Sequence, residues 1–171
     1  MAARCARSCG FVRVGRLKVH LCVVGRLKGG PEKTLIDDYL RRFDKTGRGL
    51  GLSLGQVVEV EDRKGGGMAA EAELIRARLP GAAFWVMDER GEVMTSPAFA
   101  DRLGAQRDRG IGDLALVIGG ADGIDPLLRA EAGLAISFGK MVWPHMLARV
   151  MLCEQLYRAA SILAGSPYHR V

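Results

Sequence analysis

From Leu17 onward the chain alternates short apolar, valine-rich runs with longer stretches of helical periodicity, and this alternation constrains the fold more than any other feature. LKVHLCVV (17–24) reads as a strand ended by Gly25. PEKTLIDDYLRRF (31–43) reads as a helix opened by Pro31, with Leu35, Tyr39 and Phe43 recurring at helical spacing. TGRGLGLSLGQ (46–56) is expected to be a glycine-rich loop and VVEVE (57–61) a strand. MAAEAELIRARL (68–79) is a helix stopped by Pro80 and Gly81, and AAFWVMD (82–88) a strand. SPAFADRLGAQRDR (96–109) is a helix with Ser96 as its cap and Pro97 behind it. LALVI (114–118) is a buried strand, and Asp125 and Pro126 cap and open a short helix. AISFGKMV (135–142) is the fifth strand, and Pro144 starts a last helix that runs to about Ala164. Strands separated by helices require crossover connections. The fold class is therefore α/β, a mostly parallel sheet with helices on both faces.

Bulk properties exclude several function classes. The 171 residues suit one domain, placed at 17–171. No apolar run approaches the roughly 18 residues of a membrane span. Cys5, Cys9, Cys22 and Cys153 form no CxxC pair, which suits a reducing, cytoplasmic setting without disulfides or structural zinc. With only His20, His145 and His169, no histidine-rich metal site is expected. The net charge is +6, but Arg4, Arg7, Arg13 and Arg16 supply +4 of it within an acid-free segment, leaving +2 for residues 17–171. That body is too mildly basic to argue for nucleic acid by charge alone. Residues 1–16 lack the apolar core of a secretory signal and are read as a basic extension, either disordered or the product of a mis-assigned start.

The glycine loop LVIGGADGIDP (116–126) directly follows a strand, where parallel sheets bind their ligands. It lacks the lysine of a phosphate-binding GxxxxGK[ST] loop and does not match GxGxxG. Asp122 and Asp125 would repel a polyphosphate and tolerate a cationic, phosphate-free ligand such as S-adenosylmethionine. A tight turn with Asp125 as a helix cap accounts for the loop equally well. In HMLARVMLCEQLYRAASILAG (145–165), Glu154, Arg158 and Ser161 share one narrow arc and Arg149 lies nearly opposite, with apolar residues or alanine almost everywhere else. A helix apolar nearly all round is buried on all sides, so a homodimer through this helix is expected. The Glu154–Arg158 pair has the helix-stabilising order and is read as a plain surface bridge. Arg149, on an apolar face, requires an anion or several acceptors. The tail PYHR (167–170) combines a stacking ring, a titratable group and a fixed cation, which suits an RNA base and its phosphate; a frayed end is the alternative.

Taken together, LVIGGADGIDP, the WPH that opens the last helix, RVMLCEQLYRAASI and the terminal PYHR resemble the bacterial ribosomal RNA large subunit methyltransferase H family, small enzymes of the SPOUT class. LKVHLCVVG and DDYLRRF match its N-terminal strand and helix, so the resemblance covers 17–171. Ala121 and Asp122 stand where the family commonly has proline and glutamate. The resemblance implies a C-terminal trefoil knot and a homodimer. It also implies methyl transfer from S-adenosylmethionine to N3 of a pseudouridine in helix 69 of 23S rRNA, on assembled ribosomes. A non-catalytic ribosome-binding knotted protein, or a methyltransferase for another RNA such as tRNA, are the rival readings. Carried over, Met87, the loop glycines Gly119, Gly120 and Gly123, and Phe138, Gly139, Lys140, Met141, Val142 and Trp143 would line the cofactor. The proton on N3 is assigned to the tail, with Tyr168 or His169 near it and Arg170 offsetting the charge; the tail of one subunit would reach the cofactor of the other. Arg149 is expected at an rRNA phosphate or the edge of the active site, and His145 at the helix start.

Overall fold

In the computed structural model, residues 15–169 are described; residues 1–14 of the basic extension, and Arg170 and Val171 of the tail, lie outside them. Five strands, β1 (Leu17–Val24), β2 (Leu52–Val60), β3 (Ala83–Val93), β4 (Asp113–Ile118) and β5 (Leu134–Ser137), form one sheet in the order β2-β1-β4-β3-β5. Every neighbouring pair is parallel. Successive side chains of a strand leave opposite faces, and the core divides accordingly. Leu17, Val19, Leu21 and Val23 of β1, with Leu114, Leu116 and Ile118 of β4, pack into one cluster. Cys22, Ala115 and Val117 pack into the other. Both central strands are thus apolar on both faces, as a parallel sheet covered on two sides requires.

The first cluster is covered by α1 (Pro31–Gly47), α3 (Ser96–Asp108) and α5 (His145–Leu163); the second by α2 (Gly67–Arg78) and α4 (Pro126–Glu131). In α1 the buried stripe is Ile36, Leu40, Phe43 and Gly47, while Leu35 is 45% exposed. Of the expected stripe Leu35–Tyr39–Phe43, Phe43 is fully buried and Tyr39 packs at the edge of the core, but Ile36 and Leu40 rather than Leu35 complete the buried face. The core also contains two thiols, Cys22 and Cys153, whose pKa values burial pushes up to about 12.

Three expectations change. The glycine-rich stretch 46–56 is a loop only at its start: Arg48–Leu50 form a 3-10 turn, Gly51 adopts a positive φ of 74°, and β2 begins at Leu52. Strand β2 pairs along its whole length with β1, with a register shift opposite Val19 and Leu21. Gly55 belongs to this strand because His20 lies against it; a Cβ there would stand 2.5 Å from the imidazole. The His20 Nδ1 accepts the Gln56 N–H at 2.9 Å, so its proton sits on Nε2, which donates to Asp113 Oδ1 at 2.9 Å. The ring thereby spans β2, β1 and β4. Second, β5 is four residues long, not eight, and 138–143 leave the sheet as a loop. Third, Thr95 rather than Ser96 caps α3, its side chain accepting from the Ala98 N–H; Ser96 Oγ instead donates to Gln155 Oε1 on α5 at 2.7 Å.

No described helix is long and apolar enough to cross a membrane. Gly55→Ala is expected to lower stability by about 1–3 kcal/mol through overpacking against the ring. Urea unfolding measures it as a lower midpoint at unchanged slope. With His20→Ala added, the combined loss should be smaller than the sum of the two single losses; strict additivity would show that the two do not touch.

Candidate active site

All strands point the same way, so β1, β3, β4 and β5 deliver their carboxyl ends to one edge. Along it lies an open cleft of about 290 Å³, at the small end of ligand sites. Strand β4 supplies the turn Gly119–Gly123, and β3 supplies Met87 and Asp88. The segment after β5 supplies Phe138, Gly139, Met141, Val142 and Trp143. Of the residues assigned to the cofactor from the resemblance, all but Lys140 line this cleft; Lys140 is exposed outside its wall.

The turn closes on itself. The Gly123 N–H donates to the Gly120 carbonyl at 3.1 Å, and Gly123 holds a φ of 92°. A Cβ on Gly119 would stand 2.5 Å from the Gly123 carbonyl oxygen, so only glycine permits this approach. Of the two acids read beside the loop, Asp125 does what the capping alternative required. Its Oδ1 accepts the N–H groups of Leu127 and Leu128, each at 3.0 Å, at the start of α4. Asp122 is exposed and lines the cleft. Behind the turn stands Glu71 of α2, against Gly120. Burial, and then the charges of Asp122 and Asp62, raise its carboxyl above the ordinary value against a hydrogen bond from the Gly120 backbone. Sequence reading missed Glu71, since one glutamate on a surface-type helix carries no signal of what it faces.

Asp88 was also missed, because β3 was expected to end there. The strand instead loops out between Met87 and Glu92, which share Ile136 as partner. The Asp88 side chain, 4% exposed, fills that loop. It accepts the Arg90 backbone N–H at 2.8 Å and the Arg90 guanidinium at 3.2 Å, with Arg129 at 3.4 Å. Burial acts to raise its pKa, but these bonds and charges outweigh it and hold the carboxyl below the ordinary range. On the third wall, Ser137 Oγ donates to the Gly139 carbonyl at 3.0 Å and accepts the Gly139 N–H at 3.1 Å, turning the chain out of β5.

Arg149 and the tail lie elsewhere. Arg149 is 4% exposed, and its acceptors are backbone carbonyls: Val24 O at 2.5 Å and Arg26 O at 3.2 Å, at the end of β1. Burial lowers its pKa against the opposing charge of Glu59. The several acceptors demanded of an arginine on an apolar face are thus supplied by the chain itself. Tyr168 folds back along α5, its hydroxyl donating to Glu154 Oε1 at 3.0 Å. Arg158 binds the same oxygen at 2.5 Å, lies 4.9 Å over the Tyr168 ring and approaches His169 Nδ1 at 3.5 Å. Glu154 and Arg158 are therefore an inter-segment clamp as well as a helix pair. Burial and then the bond to Glu154 push the Tyr168 pKa up to about 12. Neither Tyr168 nor His169 lines the cleft of its own chain. His145, exposed at the start of α5, does line it. Among the described residues no cluster of histidine, cysteine and carboxylate side chains could hold a metal ion.

A family described as predicted SPOUT methyltransferases matches residues 17–169, and the chain belongs to it. The cleft, at the strand ends of a five-stranded parallel sheet, is accordingly the candidate active site of a SPOUT-type methyltransferase. More particularly, relatives named ribosomal RNA large subunit methyltransferase H are similar along nearly all of the described chain. That of Jannaschia sp. is 89% identical over 137 residues, 80% of this chain and 100% of the relative. That of Dinoroseobacter shibae is 68% identical over 156 residues, 91% of this chain and 100% of the relative. That of Ruegeria sp. is 65% identical over the same length and shares. Among solved structures, a probable methylase family protein of Haemophilus influenzae superposes with a TM-score of 0.50 at 10% identity, covering 92% of this chain and 72% of the other, a likeness of fold alone.

The depressed pKa of Asp88 fixes a pH window. The stability it contributes is fully present above the unfolded carboxyl value of about 3.9 and is lost as pH falls through the lower folded value. Asp88→Asn is expected to cost about 1.5–3 kcal/mol at pH 7 and to flatten the acid side of the stability curve. Urea titrations at neutral pH and below pH 4 measure both, and an unchanged acid slope would show that the carboxyl is not held.

Proposed function

We propose that the chain methylates N3 of a pseudouridine in helix 69 of 23S rRNA, with S-adenosylmethionine as methyl donor, on assembled ribosomes in the cytoplasm. The observation that carries the cofactor is the chemistry of the cleft. Backbone turns rather than lysines face it, with two exposed carboxylates that make no ion pair among the described residues, Glu89 and Asp122, for a cationic ligand, and Phe138, Met141, Val142 and Trp143 as apolar walls. That donor set fits a phosphate-free sulfonium with an adenine end. The names of the close relatives support rRNA as the substrate.

S-adenosylmethionine, when bound, supplies an already activated methyl group; the protein's task is to place N3 in line with it and to remove the proton. Gly119 and Gly123 shape the wall on one side and Ser137 fixes the departure of the loop on another. In the tail, the Tyr168 phenol is neutral throughout the physiological range and already donates to Glu154. It acts as an anchor, which assigns the N3 proton to His169. Arg170 offsets the developing negative charge.

Because Tyr168 and His169 do not line the cleft of their own chain, the reading includes a homodimer in which the tail serves the partner's cleft. Leu147, Val150 and Met151 form a partly exposed apolar stripe along α5, with Trp143 just before its start, and Leu35 and Tyr39 of α1 share a pocket with Val150 and Met151. A second copy would cover this face. The trefoil knot belongs to the same reading, supported by a strand order in which β5 returns to the side of β3 opposite β4. Residues 1–16 are left as an extension to a single catalytic domain.

Tritiated S-adenosylmethionine and ribosomes lacking the modification test the substrate. Label is expected in 23S rRNA and, by mass mapping, on the helix 69 pseudouridine. Label only in tRNA points to another RNA, and no binding heat with the cofactor points to a non-catalytic binder. Gly119→Ala, which forces the turn apart, should weaken cofactor binding by about tenfold or more. Deleting residues 168–171 should leave cofactor affinity unchanged and reduce methyl transfer by about 10²–10⁴-fold; full transfer by the truncated protein would remove the tail from the mechanism.

A further inference from the structure

A second cavity, of about 390 Å³, lies on the other side of the glycine turn, between the loop after β1 and the start of α5. Gly120, Ala121 and His145 border both spaces. Its chemistry differs from that of the cofactor cleft. Arg26, Lys28 and Arg149 stand in its wall against one carboxylate, Glu32. Arg26 also engages Glu61 at 3.2 Å, whereas Lys28 is exposed and makes no ion pair among the described residues.

Two independent features make this a place for an anion. The first is Arg149, a buried guanidinium held only by neutral acceptors: the Val24 and Arg26 carbonyls and, at 3.3 Å, Met146 Sδ. Its Nε has no partner, and no carboxylate pairs with it among the described residues. Glu59 acts on it only at a distance, and a buried charge with no carboxylate bonded to it is costly unless an anion can approach it. The second is α5. This helix of 19 residues begins at His145 with no side-chain cap on its N-terminal N–H groups, and both His145 and Met146 line the cavity. Such an end carries partial positive charge and free donors. The fixed charge of Arg149 lies one turn further along the same helix, so the two fields add.

The geometry points to a phosphodiester-binding subsite here, which holds the RNA backbone beside the target nucleotide while the base enters the adjoining cleft. It rests on the reading of the chain as an rRNA methyltransferase. Lys28 and the α5 N–H groups contact the phosphate oxygens, and Arg149 supplies charge from behind without leaving its carbonyls. No bond is made or broken at this subsite; it sets register.

Two measurements on the full-length protein test it. In the first, Lys28→Ala is compared with Lys45→Ala, at the far end of α1. Lys28→Ala should raise KM for ribosomes by about tenfold at little cost in kcat and should reduce the slope of log affinity against log salt by about one. Lys45→Ala should change neither. In the second, inorganic phosphate is titrated into isotope-labelled protein without RNA or cofactor. The amides of residues 26–29 and 145–147 and the Arg149 Nε–H should shift together, more weakly in Lys28→Ala. Shifts scattered over other basic residues, or none at this cavity, overturn the subsite whatever the enzyme's activity. Conversely, if the wild type labels no rRNA but phosphate still titrates this cavity, the anion site stands and the substrate reading falls.

Discussion

The parallel sense of all five strands is the constraint from which the rest of the structure follows. It delivers the carboxyl ends of β1, β3, β4 and β5 to one edge, so the loops that leave them meet whatever their sequence. The edge is held from outside the sheet by Arg149, which ties the first turns of α5 to the carbonyl of Val24, the last residue of β1, and that of Arg26 just beyond it. Without that tie, a guanidinium would sit buried with no acceptor, and the helix that carries His145 would have no fixed relation to the glycine turn.

How much could be read in advance followed from how local each cause was. Strands β1 and β4 were legible because both faces are buried and their residues are almost uniformly apolar. Strand β2 was half hidden: Gly55 reads as loop, and only the imidazole of His20, supplied from a neighbouring strand, explains it. The over-long β5 was an error of the same kind. FGKMV looks like a strand by composition, but Ser137 bonds both backbone groups of Gly139 and ends the pairing. The Thr95 cap lay one residue before Ser96, and both can cap; the contact between Ser96 and Gln155, 59 positions apart, decided between them.

The site divides along the same line. The order of the motifs along the chain resembled one family closely enough to bring Met87, the three loop glycines and the 138–143 segment to one cleft, Lys140 excepted. What a motif cannot carry is what stands behind it. Glu71 against Gly120, Arg129 on Asp88, and the fold of Tyr168 back onto Glu154 join residues far apart in the sequence. Arg149 is intermediate: its need for acceptors was visible on an apolar helix, but their identity as the carbonyls of Val24 and Arg26, at and just past the end of β1, was not.

The single turn Gly120–Ala121, with His145 beside it, is a partition between two cavities of different character. A partition this thin would pass any shift caused by binding on one side to the other. Were the first occupant to fix the turn in the form the second needs, linkage would require the benefit to be equal in both directions. Heterotropic cooperativity would thus arise within one small domain, with no subunit rotation and no hinge.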